Sequence, residues 1–481
     1  MIAGIQKVTA DLVPAIALEH LDGTWGSTLA GSLPGRLWLA IKRWTVGIAG
    51  QPAGNLGSYL QACGFLVIVA LALALGAPQF VNDKEGLALF VLFGLGLRLL
   101  GSLIGGKEDY TPSAIDSLVI ALLYTNIIAT AASHYLVPSL KGLIKVLVYV
   151  ASYFLFVGAF AHSRKRAVIV MSALVAAGLV VALYGLYQYK IGVAPLATWE
   201  DPNVEIKGTR IYSTLGNPNL LAGYLVPMVP VAFALAMASA WIGRWWLSLP
   251  ALAVSGILAV ATVLTGSRGG YVGLFAAGLS LTLVPASWLW KAKPKARLII
   301  LAAMLLLPVL ALLAVHLLPA FEQRLLSIFA GREHTSNSFR LNVWHASWLM
   351  FLDNWWFGIG PGNQAFRLAY GLYMRSGFDA LGTYCVPLEV AVETGVIGLA
   401  AFGALLTSLF ARAHLSFWRS NDSVHRWLVV GCTSAIVGLM AHGLVDTVFY
   451  RPQVQFIFWL MVAIVVALSL SPGKPGQSSD P

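Results

Sequence analysis

Residues 167–188 read AVIVMSALVAAGLVVALYGLYQ, an apolar run without one charged side chain, entered from the basic cluster Arg164, Lys165 and Arg166. A helix needs about 20 mostly apolar residues to cross the hydrocarbon core of a bilayer. A membrane strand would instead alternate apolar and polar positions over ~10 residues. This run is continuous, so it reads as a spanning helix. The pattern recurs along the chain and predicts twelve spans, near 64–80, 86–105, 113–133, 141–161, 167–188, 219–241, 247–265, 270–290, 297–318, 389–411, 427–447 and 453–471. The first is short and carries Pro78.

Composition agrees with the runs. The 481 residues are 58% hydrophobic and 11% charged, against roughly 25% charged in a soluble domain, and the mean hydropathy is +0.78. That excludes a string of soluble domains. The expected fold is an all-α polytopic membrane protein of about 12 transmembrane helices. A polar, amphipathic N-terminal region (1–63) precedes the membrane domain (64–471), and a short tail (472–481) follows. No short apolar core with a cleavage site opens the chain, so no signal peptide is expected.

The net charge of +11 follows the rule that excess Lys and Arg marks cytoplasmic connections. Arg164, Lys165, Arg166, Arg244, Lys291, Lys293, Lys295, Arg297, Arg412, Arg419 and Arg426 fall on one side when both termini are placed in the cytoplasm. Lys141 and Lys145 are exceptions at the other end of the fourth span. No basic stripe interleaved with aromatics points to nucleic acid. Three scattered cysteines, Cys63, Cys385 and Cys432, suit neither a disulfide framework nor a zinc site.

Two connections on the outer side exceed what a linker needs, roughly 190–218 and 319–388. Within the longer one, SFRLNVWHASWLMFLD spaces Phe339, Val343, Trp344, Ser347 and Trp348 helically, as in an amphipathic helix on the membrane surface. A tight turn, GIGPGN, follows it.

Arginines beside irregular backbone carry the functional signal. In KGTRIYSTLGNPNLLAGYL, Arg210 precedes a turn in which Asn217 can cap the next helix, with Asn219 beside it. In LTGSRGGYVG, Arg268 sits in a very short link between two spans. Guanidinium forks near a helix N-terminus suit phosphate, pyrophosphate or bicarbonate; interfacial snorkelling is the plain alternative. Arg340, at the start of the amphipathic helix, is a third anion-binding candidate. Arg98 lies inside a span, where a charge is costly and calls for a partner or a route to the interface. His442 and Asp446 are four apart and could share a helix face as a polar relay or an interhelical clasp. Glu389 and Glu393 have the same spacing at a helix start, where carboxylates favour the helix dipole. No P-loop, GxSxG or HExxH occurs, so no ATP-driven step, cofactor or metal is expected.

Together Arg210 with GNPN, TGSRGG, the long outer loop, GIGPGN and VAVETGVIGL resemble the O-antigen ligase and polymerase superfamily over roughly residues 200–410. Such proteins are polytopic and act on lipid-pyrophosphate-linked glycans. FDALGTYCVPLEVAVETG and HGLVDTVFYRPQ resemble more closely its cyanobacterial-type branch of inorganic-carbon (bicarbonate) transporters. The resemblance implies an integral protein of a bacterial inner membrane, plasma or thylakoid. Ligases carry a His-Asn pair about nine residues before the Glu of ETG, the His serving as base on the acceptor hydroxyl. Tyr384 and Cys385 stand there instead, and an unperturbed tyrosine is a poor base at neutral pH. The expectation is therefore a bicarbonate-handling membrane protein, leaning away from an enzyme, with Arg210, Asn217, Asn219, Arg268 and Arg340 holding the anion. The alternative is a ligase-like transferase acting on a lipid-linked glycan pyrophosphate.

Overall fold

The computed structural model describes residues 12–48, 54–78, 84–105, 110–161, 163–194, 209–292, 297–298 and 335–470. Every regular element among them is helical. Two short helices, α1 (Asp22–Gly31) and α2 (Leu33–Ile48), precede α3 (Gly54–Ala74), α4 (Lys84–Gly105), α5 (Ala114–Ala132), α6 (Leu136–Phe160) and α7 (Arg164–Ile191). Then come α8 (Pro218–Leu225), α9 (Met228–Trp241), α10 (Trp245–Leu264), α11 (Arg268–Ala292), α12 (Thr335–Asp353) and α13 (Asn363–Tyr370). The last three are α14 (Val386–Arg419), α15 (Ser423–Gly443) and α16 (Pro452–Leu470).

Eleven helical segments among the described residues are long and apolar enough to span a membrane, α8 and α9 counting together as Pro218–Trp241. The chain is a polytopic membrane protein. The expected span at 297–318 lies, beyond Leu298, outside the described residues.

The first span is displaced from its expected position. Helix α3 starts at Gly54 and stops at Ala74, short of Pro78, whose ring would clash with the preceding turn. The weakly hydrophobic beginning of α3 is a seam. A Cβ on Gly57 would fall 2.4 Å from the Gly105 Cα, and Gln61 is buried against Gly101. Small residues let two helices approach closely in lipid, so hydropathy alone misplaced the boundary.

Helix α16 is the centre of the bundle. Its sequence PQVQFIFWLMVAIVVALSL is apolar all round, and its side chains from Pro452 to Leu468 are almost all buried by neighbouring helices. An all-apolar helix has no polar stripe to present and so can be surrounded.

The connections between spans gather at two ends of the bundle, with α11 and α14 both running from one end to the other in the same direction. At one end the N-terminal segment folds onto the bundle. The Arg412 side chain, 1% exposed, bonds the Ala17 carbonyl and the Asp22 carboxylate, and Asp22 also accepts from the Ala114 amide. Arg419 pairs with Glu19, and Arg164 with Asp422. Arg98 is settled structurally: it lies against Gly64 and donates to the Gly158 carbonyl at 2.7 Å, tying α4 to the end of α6.

The opposite end is organised by a break in α14. Gly395 adopts φ 68° and ψ −169°, a conformation open in practice only to glycine. The turn Gly358–Gly362 stitches into the opening. Ile359 donates to the Val392 carbonyl at 2.9 Å and Gly360 to the Glu393 carbonyl at 3.1 Å, while Val396 donates to the Trp355 carbonyl at 2.7 Å. The Glu393 carboxylate accepts from the Gly362 amide at 2.9 Å. From the turn before α6, Ser133 donates to the Ile359 carbonyl, and in α6 Gly142 abuts Pro361 so closely that a Cβ would lie 2.0 Å from its carbonyl oxygen.

Gly395→Ala should therefore be strongly destabilising. The backbone strain alone costs about 1–3 kcal/mol, and the new Cβ would meet the Trp356 carbonyl at 2.1 Å. Gly403→Ala, on the same helix with nothing within 4 Å of its Cβ, should leave thermal unfolding in detergent unchanged.

Candidate functional site

Four loops meet at the broken end of α14. Asn217, in extended backbone, caps α8 by accepting from the Asn219 and Leu220 amides, so its side chain satisfies the helix start that the sequence offered to an anion. Arg210 straps this loop to the link between α10 and α11. Its Nε donates to the Thr265 carbonyl at 2.9 Å, and Nη2 to Asn219 Oδ1 at 3.3 Å. Arg268 opens α11 and reaches α12, donating to Asn337 Oδ1 at 2.6 Å. One turn further along α12, Arg340 reaches Asp446 at 3.4 Å, with both side chains largely buried. Three guanidinium groups thus stand on adjoining segments, one on a loop and two near the starts of helices, each oriented by a carbonyl, amide or carboxylate. That concentration of positive charge beside a helix N-terminus favours an oxyanion.

The relay expected of His442 and Asp446 takes another form. Helix α15 ends at Gly443, so Asp446 leaves the helix surface that His442 occupies. Its carboxylate accepts from Arg340 and from the Thr447 amide. His442 is fully buried, and neither ring nitrogen has a hydrogen-bond partner among the described residues. Its ring fills the space left by Gly269 in the first turn of α11, where a Cβ would stand 2.9 Å from Nε2. The pair brackets the site without bonding to each other.

Tyr384 sits beside the Arg340–Asp446 pair. Its backbone is left-handed, at φ 55°, and its ring packs edge-on against Phe339, 5.4 Å between centroids. Burial first, and then the Asp446 charge, push its hydroxyl up to about 12, with Arg340 opposing. Tyr384, where the resemblance implied a histidine in ligases, keeps its proton.

Glu389 and Glu393 do more than complement a helix dipole. Glu393 holds the Gly362 turn and lies within the field of Lys145. Glu389 Oε2 is buried without a hydrogen-bond partner among the described residues. It lies 3.8 Å from where a Cβ on Gly382 would be, a position that also touches Thr447, next to Asp446.

The long loop departs from the expected surface helix. In α12, Val343, Ala346, Ser347 and Met350 form the buried stripe, and they pack with Phe366, Tyr370 and Val392. Trp348, expected on that stripe, is 50% exposed and lies against Phe351. His345 is on the exposed side, and His334 lies outside the described residues. Asn337 had no distinguishing sequence signal beyond standing three residues before Arg340. Among the described residues no group of His, Cys, Asp and Glu could hold a metal ion.

Residues 253–403 match the family model described as O-antigen ligase. The matched segment contains Arg268, Arg340, Tyr384, Glu389 and the break at Gly395, and leaves out Arg210, His442 and Asp446. It supports the resemblance to the O-antigen ligase-related superfamily over less than half of the chain. No curated protein matches the chain.

Tyr384 gives a pH signature. A raised pKa contributes stability that is fully present below the ordinary tyrosine value near 10 and is lost as pH rises through about 12. Ultraviolet titration of the protein minus that of Tyr384→Phe should show one tyrosine ionising near pH 12. A step near 10 would mean that the ring is not buried beside Asp446.

Proposed function

We propose that the chain is a membrane glycan transferase that takes a glycan from a lipid pyrophosphate carrier and joins it to an acceptor hydroxyl. The observation that carries this is the convergence of Arg210, Arg268 and Arg340 on one end of the bundle, in a chain whose segment 253–403 matches the O-antigen ligase family model. The match supports the transferase over the bicarbonate carrier that the finer resemblance implied. In this assignment the arginine end faces away from the cytoplasm and the N-terminal segment lies on the cytoplasmic side.

In the reaction the acceptor oxygen attacks the anomeric carbon, the bond from that carbon to the pyrophosphate oxygen breaks, and the lipid pyrophosphate leaves with the bonding electrons. Charge grows on the leaving oxygen. Arginines already fixed by Thr265, Asn219 and Asn337 meet that charge without reorganising. The hydroxyl proton needs an acceptor. Tyr384 holds its own proton, Glu393 is occupied by the Gly362 amide, and Asp446 by Arg340 and the Thr447 amide. Glu389, with a buried carboxylate oxygen lacking a hydrogen-bond partner among the described residues, is the acceptor assigned here.

Purified protein in nanodiscs tests the assignment with a polyprenyl pyrophosphate. Arg210→Ala and Arg268→Ala should each weaken binding about tenfold or more, since a hydrogen bond to a charged group contributes roughly 1.5–3 kcal/mol. Glu389→Gln should bind the lipid normally while abolishing glycan transfer. Saturable bicarbonate uptake into proteoliposomes that both arginine variants lose, with no affinity for the lipid pyrophosphate, would replace the transferase by a carrier.

A further inference from the structure

A second cleft opens beyond the arginine cluster, at the far end of α12, and it differs from that cluster in chemistry. Its volume is about 210 Å³. His134 and Tyr135 from the turn between α5 and α6 form one wall, and Asp353, Asn354 and Tyr373 form the other. The floor is the backbone of Gly358 and Ile359, already fixed by the Val392 carbonyl and by Ser133. No Lys or Arg lines it.

We propose that this cleft binds a neutral sugar unit of the glycan, several units removed from the pyrophosphate. The inference rests on the transferase assignment for its ligand class. Saccharide sites combine aromatic faces, against which the apolar face of a pyranose packs, with carboxylates and amides that take its hydroxyl protons. All of these are present. Tyr373 donates to Asp353 Oδ2 at 2.6 Å, which orients the carboxylate and leaves its other oxygen as an acceptor. That hydrogen bond, with burial and the Asp353 charge behind it, pushes the Tyr373 hydroxyl up to about 12, so the ring stays neutral. Asn354 commits its amide nitrogen to the Met350 carbonyl at 3.0 Å and presents its oxygen. His134 is exposed at the rim.

The lining has acceptors and aromatic surface but no fixed cation, which disfavours phosphate and suits a hydroxyl-rich uncharged ligand. Position agrees with chemistry. Asp353 is thirteen residues along α12 from Arg340, about 20 Å at 1.5 Å per residue, the span of a few linked sugars. The floor of the cleft is bonded to α14 at Val392, and α12, which carries both Arg340 and Asp353, packs in the same cluster as Val392, so their separation is fixed by the fold. A donor chain running outward from its pyrophosphate and an acceptor glycan approaching from outside offer the same neutral sugar chemistry.

The test uses the full chain in nanodiscs and fluorescently tagged, lipid-free neutral oligosaccharides of two to six sugars, cut from bacterial cell-surface polysaccharide. The protein should retain at least one of them. Asp353→Asn and Tyr373→Phe should each weaken that binding tenfold or more, while Arg268→Ala leaves it unchanged. Tyr373→Phe removes a single hydroxyl, so loss of binding at an unchanged unfolding temperature reports the cleft and not the fold. Competition by free donor glycan or by free acceptor glycan then distinguishes the two sources. Absence of binding, or variants that bind as the parent does, overturns the cleft. Binding that behaves as expected in a protein with no affinity for polyprenyl pyrophosphate would leave the cleft standing and remove the transferase.

Discussion

The break in α14 is the constraint on which this end of the molecule depends. A spanning helix normally satisfies all of its own backbone groups, because lipid offers no alternative partners. Gly395 opens that ladder, and the exposed carbonyls of Val392 and Glu393 are met by amides from Ile359 and Gly360. The debt is settled within the protein, by a turn that sequence places more than thirty residues upstream. The same stitches hold α12 across the mouth of the bundle, and α12 carries both Asn337 and Arg340. A break that would be ruinous facing lipid thus becomes the anchor of an irregular segment, permitted because protein surrounds it.

Much of the architecture could be read from the residues. Continuous apolar runs gave helices in the right places because length and hydropathy are the physical conditions for crossing a bilayer. They failed at α3, where Gly57 and Gln61 look too weakly apolar for lipid but pack against α4 instead. They also gave no hint of the break in α14, since VETGVIGL reads as a helix with two glycines, and only the partner strand of backbone reveals which glycine leaves the helical region. Arg210 and Arg268 stood out because each adjoins a glycine- or asparagine-rich turn. What those side chains bond to was not legible, for Thr265, Asn219 and Asn337 are ordinary residues whose roles arise from proximity. His442 and Asp446 show the limit of spacing rules: four residues apart implies one face only while the helix continues, and here it stops between them.

Charge is managed differently at the two ends. Around the N-terminal segment each buried or half-buried arginine finds a carboxylate or a carbonyl and acts as a fastener. Around Arg210, Arg268 and Arg340 the described partners include the Thr265 carbonyl, the Asn219 and Asn337 side-chain oxygens and the Asp446 carboxylate. The neighbouring tyrosine and buried imidazole add polar surface to this end without adding negative charge.

Arg412 and Asp22 are separated by 390 residues of chain. During synthesis Asp22 leaves the ribosome first, and the spans from α3 to α11 follow it before Arg412 exists. Asp22 can meet the Ala114 amide early, but its Arg412 partner arrives only once α14 has been made. The Arg412–Asp22 bond is therefore a late event in assembly.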